Sequence, residues 1–384
     1  MEFYQRLQLD KSIIQDFNPY YCQIESGLDD PIIINGKRFI NLASNNYLGL
    51  ANDSRVKEAI IKSVEKYGAS LCGTPIATGY INLFKRVEEK ITQFIGLEDA
   101  IILPSGYQAN NGLFNAIVGK EDLVIVDHFA HSSLLQGIKI VGCKIRPFLH
   151  NNLEYLKIIL EKSAGFRQIF VVTESVFSTE GSIAPFKEIV KLCEQYGALP
   201  VIDDSHGIGV IGKNGRGILE EKNINNYQGL YTASLGKALA NAGGVIAGKK
   251  IIIDYLRYSC SHLIYSTAIV PSVLAGIEKV LDIINSDFQI ISNQMWRYYK
   301  AICESLINSG FNLVSSNAPI NSIIAGSSKD TILLARKFYE HNILTTPFIH
   351  PSVPQNEGKV RLIAGANLKE ETINLVLKVI KEIA

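Results

Sequence analysis

From about residue 100 to residue 250 the chain alternates short apolar, β-branched runs with longer amphipathic stretches. The runs are AIIL, LVIVDH, KIRPF, IFVVTES, LPVIDD and GVIAG. Between them lie segments such as 153–162 (LEYLKIILEK) and Phe186–Tyr196 (FKEIVKLCEQY), whose apolar residues recur every three or four positions with charges at the rest. This alternation predicts a mostly parallel sheet covered by amphipathic crossover helices.

After Ser266 and Thr267 the rhythm changes. A long helical stretch runs from roughly Pro271 to Asn308, followed by short strands near FNLV, INSIIAG and KVRLIAG and a last helix ending at Ala384. The expected organisation is an N-terminal arm and small-domain segment over 1–45, a large α/β domain over 46–270, and a smaller α+β C-terminal domain over 271–384. No repeat, low-complexity tract or flexible linker separates the two larger parts.

Composition narrows the class. At 384 residues the chain is longer than one hydrophobic core usually serves. Charges balance to a formal +1 with no long block of one sign, which disfavours nucleic acid or an anionic membrane as partner and leaves small molecules. The N-terminus mixes charged and apolar residues without the order of a signal peptide, and no run of about 18 apolar residues occurs, so a cytoplasmic protein without an integral membrane segment is expected. The six cysteines stand singly, with no CxxC pair and no His cluster at metal-ligand spacing; free thiols and no metal site are expected.

In open parallel sheets ligands gather where strands end and helices begin. VIDDSHG places Asp203, Asp204 and His206 directly after an apolar run, where an ionised carboxylate is costly unless a cation or donor meets it. Taken alone, such an Asp is more often a helix N-cap. TASLGKALANAGGVIAG sets Ser234 three residues before Lys237 and crowds that lysine with small residues, as if the backbone had to approach a bound group; most lysines only solvate a surface. PSGYQANNG offers the N–H groups of Gly106 and Tyr107 at a predicted helix start, where donors and helix dipole can hold a phosphate. DHFAHSS adds His131, which by itself reads as a structural histidine. Jointly, these groups meet the demands of one cofactor, pyridoxal 5′-phosphate: a lysine amine for its aldehyde, a carboxylate for its pyridine nitrogen, donors for its phosphate and a flat ring for stacking.

VIDDSHGIGVIGKNGRG, TASLGKALANAGG, NLASNNYLGL and SHLIYST resemble the signature segments of the α-oxoamine synthases, and the similarity runs from about residue 40 to the C-terminus. The resemblance implies a fold-type I pyridoxal-phosphate transferase, with a large mostly parallel sheet of seven strands and a smaller α+β domain, that condenses an amino acid with an acyl-CoA (or acyl carrier protein thioester). It makes Lys237 the Schiff-base lysine, Asp203 the pyridinium partner and His131 the stacking ring. Gly106, Tyr107 and Ser234 would hold the phosphate, and Ser178 and His206 would contact the ring oxygen. Arg361 in KVRLIAG matches the arginine that grips the amino-acid carboxylate, with Asn45 and Ser352 completing the substrate set. Ser266 and Thr267 match a segment that reaches the phosphate of a neighbouring subunit, implying a homodimer with shared active sites. A protonated His131 would polarise the thioester carbonyl.

The stretch GASLCGTPIATGYINLFKRVEEK departs from the family: Pro75 stands for a commonly basic residue and Phe84 for a common histidine. Its Gly79-Tyr80 pair resembles 8-amino-7-oxononanoate synthases and leans towards alanine as the amino acid. NPYYCQIESGLDD has no counterpart of an N-terminal arginine that some of those enzymes place near substrate, which keeps serine palmitoyltransferase-like and other long-chain activities, and glycine C-acetyltransferase, in contention. A fold-type I aminotransferase and a non-catalytic binding subunit are the rival classes.

Overall fold

The computed structural model describes residues 12–384, which fall into two compact units. The smaller unit comprises the described residues up to Asn45, the segment Thr179–Gly181 and Gln294–Ala384; the larger comprises Asn46–Ser178 and Ser182–Asn293. The large unit therefore ends at Asn293, inside the helix Pro271–Asn308, and not at 271 where the sequence pattern changes. The first half of that helix is tied to large-unit helices by ion pairs, Glu278 to Arg86 (3.0 Å) and Asp287 to Arg55 (2.7 Å). Among the described residues no helix is long and apolar enough to cross a membrane.

The small unit opens with a hairpin, β1 (Ile32–Ile34) and β2 (Lys37–Asn41). Asn35 and Gly36 both take positive φ at its two-residue turn, a conformation that Asn-Gly adopts at low cost and that matches the strand twist.

In the large unit the apolar runs form β3 (Asp99–Leu103), β4 (Leu123–Asp127), β5 (Lys144–Phe148), β6 (Ile169–Glu174), β7 (Leu199–Asp203), β8 (Leu230–Ser234) and β9 (Gly244–Gly248), in the sheet order β3-β9-β8-β7-β6-β4-β5. The pairs β5–β4, β4–β6, β6–β7 and β7–β8 are parallel, and β9 runs antiparallel to both β8 and β3. Strands β4, β6 and β9 are buried along their whole length, which explains their lack of polar alternation. Strand β5 lies at the edge, where Pro147 sacrifices no ladder hydrogen bond. The expected mostly parallel sheet of seven strands forms; β8 was not among the apolar runs, because LYTAS carries three hydroxyls.

The expected crossover helices form at Leu153–Glu161 and Phe186–Tyr196. The helix Gly106–Ile117, entered from β3, is capped by Ser105, whose Oγ accepts the Gln108 N–H (3.1 Å). It packs Ala109, Leu113 and Phe114 into a core shared with Val124, Val126, Val172 and Ile246 of the sheet.

Back in the small unit, β10 (Asn321–Gly326), β13 (Gly358–Leu362) and β12 (Thr346–Phe348) form an antiparallel sheet, and β11 (Ile343–Leu344) pairs with β2. FNLV contributes only an isolated bridge, Leu313 to Ile323, in place of the expected strand. Helices Ser328–Glu340 and Glu370–Ile383 cover a core of Phe338, Val360, Leu362, Val376 and Ile380.

Because Leu113 is fully buried where the Gly106–Ile117 helix meets the sheet, Leu113→Ala should destabilise the protein by about 2–5 kcal/mol. A lower urea midpoint with an unchanged m value would show it.

Candidate active site

The parallel strands of the large unit all end at one edge, and the turns that follow them carry the candidate residues. Asp203 is the last residue of β7 and is buried. Its Oδ1 accepts the Ser205 N–H (2.9 Å) and its Oδ2 a hydrogen from the Asn110 amide (2.8 Å). No helix follows, so Asp203 caps a turn and not a helix; neutral donors stabilise the carboxylate directly. Next to it Asp204, fully buried, accepts from the Ile218 N–H and the Tyr231 hydroxyl, both at 3.0 Å. Loss of water pushes its carboxyl up to about 7. His206, also buried, makes a 2.8 Å hydrogen bond through Nδ1 to the Tyr47 hydroxyl, with the two rings edge to face.

His131 stands between β4 and the helix Ser132–Val141. Its backbone N–H donates to Glu174 Oε1 at the end of β6 (2.6 Å), and its Nδ1 lies 2.8 Å from Ser133 Oγ. The residue is exposed by surface area, yet the protein atoms packed around it remove enough water to lower its pKa; Asp203 opposes the shift, and the ammonium of Lys237 adds to it. Glu174 is driven well above the ordinary carboxylate range, first by burial and then by Asp203, with Lys237 pulling the other way. Lys237, Asp203, His131 and Glu174 thus act on one another through space. Burial and the Lys237 ammonium act against a protonated His131, and Asp203 acts for it.

Lys237 is half-buried in the loop between β8 and β9. Leu235 N–H to Gly243 O (2.9 Å), Ala240 N–H to Lys237 O (2.9 Å) and Asn241 N–H to Leu235 O (3.2 Å) close that loop. Ser234, just before it, faces the start of the helix Gly106–Ile117. A Cβ on Gly106 would lie 2.9 Å from Ser234 Cβ, and one on Gly244 only 2.5 Å from Gly106 Cα. Three small residues therefore let a helix N-terminus, a hydroxyl and a strand meet without side chains between them, a cradle suited to a phosphate. The Tyr107 side chain is exposed, and Ser178 is half-buried beyond β6. Ser266 and Thr267 lie in the segment whose Ala268 N–H donates to Gly73 O (2.9 Å).

The other candidates belong to the small unit. Arg361, on β13 between Ser322 of β10 and Thr346 of β12, is buried and lies 5.0 Å from the Phe348 ring centroid. A surface ion pair is thereby ruled out for it. Two residues earlier, Lys359 is also buried and pairs with Glu180 at 2.5 Å. Asn45 is half-buried, with its Oδ1 enclosed and without a hydrogen-bond partner. Ser352 is exposed on a turn whose N–H donates to Ile349 O (2.8 Å).

Asn110, Ser133, Glu174, Thr232 and Tyr47 were not singled out from the sequence. Two consecutive asparagines inside a predicted helix, Asn110 and Asn111, are a legible signal, because Asn is a poor interior helix former. In the divergent stretch, Phe84 is buried, and the Tyr80 hydroxyl donates to buried Glu88 (2.7 Å), which also meets Arg257 (3.0 Å).

Residues 37–380 match the family described as aminotransferase class I and II. The chain is 32% identical over 361 residues to the 8-amino-7-oxononanoate synthase of Thermoanaerobacter pseudethanolicus, covering 94% of this chain and 91% of that one. It is 31% identical over 364 residues to the serine palmitoyltransferase of Bacteriovorax stolpii, covering 94% and 86%. Among solved structures, a serine palmitoyltransferase from S. paucimobilis with a bound PLP–myriocin aldimine shares the fold at a TM-score of 0.95 and 24% identity, over 100% of this chain and 97% of that one. The 8-amino-7-oxononanoate synthase of Francisella tularensis matches at 0.76 and 26% identity, over 90% and 97%.

The burial of Asp204 has a measurable signature. Its pKa rises from 3.8 to about 7 on folding, so between those values the folded state holds more protons than the unfolded one. Stability contributed by this group is complete at acid pH and is lost as pH rises through the folded pKa. In Asp204→Asn that loss should vanish, so the wild-type minus variant difference in unfolding free energy should fall between pH 4 and pH 7 in urea titrations. A difference that stays flat or rises would refute it.

Proposed function

The chain belongs to the aminotransferase class I and II family, and from that membership we propose that it is a pyridoxal-phosphate-dependent C-acyltransferase of the α-oxoamine synthase type. It joins an amino acid to an acyl thioester, releasing CoA and carbon dioxide and leaving an aminoketone. The observation that carries this is the gathering of Lys237, Asp203, His131 and the Gly106–Ser234 cradle at neighbouring strand ends of one unit. The full-length relatives named 8-amino-7-oxononanoate synthase favour alanine as the amino acid. A second reading, serine with a plain long acyl chain, is favoured by the serine palmitoyltransferase relative and by the lack of arginine in NPYYCQIESGLDD, where a second carboxylate would need a cation.

The residues present fit the cofactor: Lys237 would hold its aldehyde carbon, Asp203 its ring nitrogen, His131 its face, and Gly106, Tyr107 and Ser234 its phosphate, with Ser178 and His206 at the ring oxygen. When bound, pyridoxal phosphate supplies an electron sink for the pair left by a bond broken at the amino-acid α carbon. Asp203, locked by two donors, would set a carboxylate where a pyridinium proton needs one. The Lys237 amine would carry the α proton. His131 offers a neutral N–H to the thioester oxygen, and Arg361 binds the carboxylate as a planar, bidentate donor.

A homodimer with shared sites belongs to the same proposal. On the helix Lys250–Ser259, Ile251, Tyr255 and Tyr258 are 79%, 56% and 77% exposed at i, i+4 and i+7, and Tyr265 beyond it is 84% exposed. A stripe of that size is the surface a second copy would cover, and Ser266 and Thr267 follow it directly. A cytoplasmic location agrees with six free cysteines.

Purified protein should show a visible cofactor absorbance that Lys237→Ala abolishes. CoA should be released with alanine and a dicarboxylic acyl-CoA; release only with serine and a long-chain acyl-CoA would select the second reading. Amine transfer to a keto acid without CoA release would overturn both. If acyl carrier protein is the natural donor, its thioester should outcompete the CoA ester. Ile251→Glu combined with Tyr258→Glu should yield inactive monomers by light scattering, and a monomeric, active wild type would refute the dimer.

A further inference from the structure

Asp203 and His131, which would serve the nitrogen and the face of the bound ring, are joined by one buried hydrogen-bond chain. Thr232 Oγ1 donates to Asn110 Oδ1 (2.7 Å), Asn110 Nδ2 donates to Asp203 Oδ2 (2.8 Å) and to Ser133 Oγ (2.9 Å), and Ser133 Oγ lies 2.8 Å from His131 Nδ1. Thr232, Asn110 and Ser133 are each no more than 3% exposed, so water does not compete for these groups.

The proton positions follow from donor counting. An amide nitrogen has two hydrogens, and both are engaged, one by the carboxylate and one by Ser133 Oγ. Flipping the amide would set its carbonyl oxygen against Asp203 Oδ2 and take away the acceptor of the Thr232 hydroxyl, so these two partners together fix the orientation. With its oxygen already accepting, Ser133 has its own hydroxyl hydrogen left to give, and the near acceptor is His131 Nδ1. The Ser133 backbone N–H also points at Nδ1, at 3.2 Å. A nitrogen that faces two donors carries a lone pair, which puts the imidazole hydrogen on Nε2.

We propose that Asn110 is a positioning residue that holds the Asp203 carboxylate in place and, through Ser133, holds His131 as the neutral Nε2–H tautomer. Burial and the neighbouring Lys237 ammonium act in the same direction on His131, against Asp203. His131 then meets an incoming carbonyl as a fixed neutral donor and takes no proton from substrate. Only that catalytic consequence rests on the acyltransferase reading; the tautomer is a property of the protein alone.

The test is imidazole nitrogen NMR on the full chain labelled with 15N-histidine, with and without pyridoxal phosphate, the His131 signals being assigned by their loss in His131→Gln. At pH 7.5 the wild type should show a protonated Nε2 and an unprotonated Nδ1. Thr232→Val frees the amide to turn and should mix the tautomers, whereas Thr232→Ser keeps the hydroxyl and should restore the single form. Asn110→Ala should mix them as well and, in the loaded enzyme, lower kcat more than it raises KM for the amino acid. An imidazolium or an Nδ1–H form in the wild type would overturn the proposal, as would unchanged tautomers in both Asn110→Ala and Thr232→Val. Neither result depends on CoA release, so failure of the acyltransferase reading would be seen separately.

Discussion

Four buried carboxylates at the ends of three strands of one sheet set the terms for everything around them. Asp127, Glu174, Asp203 and Asp204 are each at most 4% exposed, and an ionised carboxylate stripped of water is costly unless donors replace it. The donors come chiefly from the turns that follow the strands. Asp127 takes the Phe129 and Asn151 N–H groups and His150 Nδ1, Glu174 the His131 N–H, Asp203 the Ser205 N–H, and Asp204 the Ile218 N–H. Each carboxylate therefore fixes the path of a loop, and those loops carry His131 and His206. Satisfying the strand ends and building the site are one act.

Close approach is the second constraint. The Gly106 end of its helix meets Ser234 and Gly244 with no space for a β carbon. That contact brings the loop of Lys237 up to a helix N-terminus, so the proposed covalent anchor and the proposed anion cradle are set by the same packing. A side chain at either glycine would separate two elements whose nearness the proposed function requires.

How far the sequence discloses this depends on the kind of residue. The buried strands were legible because two-sided burial leaves uninterrupted apolar runs, and Lys237, Asp203 and Gly106 were legible because they sit at punctuation marks between periodic segments. Strand β8 was not, since Thr232 and Ser234 look like loop residues until their partners, Asn110 and the cradle, are seen in space. Glu174 reads as the polar end of a strand. Asn110 is marked only as half of an Asn-Asn pair unusual inside a helix, with nothing to name its partners. Each is defined by a contact distant in sequence, 122 residues for Thr232 and Asn110, and periodicity carries no information about such pairs.

The divergent stretch before the Asn82–Ile95 helix shows the same limit in the opposite direction. Gly79-Tyr80 leaned towards alanine by resemblance, yet the Tyr80 hydroxyl is bound to Glu88, and its ring lies 5.4 Å from buried Phe84 and 5.7 Å from the Arg257 guanidinium. Burial raises Glu88 to about 7 although Arg257 and Tyr80 both donate to it. Phe84 and Tyr80 thus belong to one compensated cluster: the apolar ring fills the interior, and the phenol satisfies the buried carboxylate. Gly79 is required for a separate reason, since a Cβ there would stand 2.5 Å from that of Ala268. The residues that look like substrate selectivity in the sequence are thus first part of the packing around a buried glutamate.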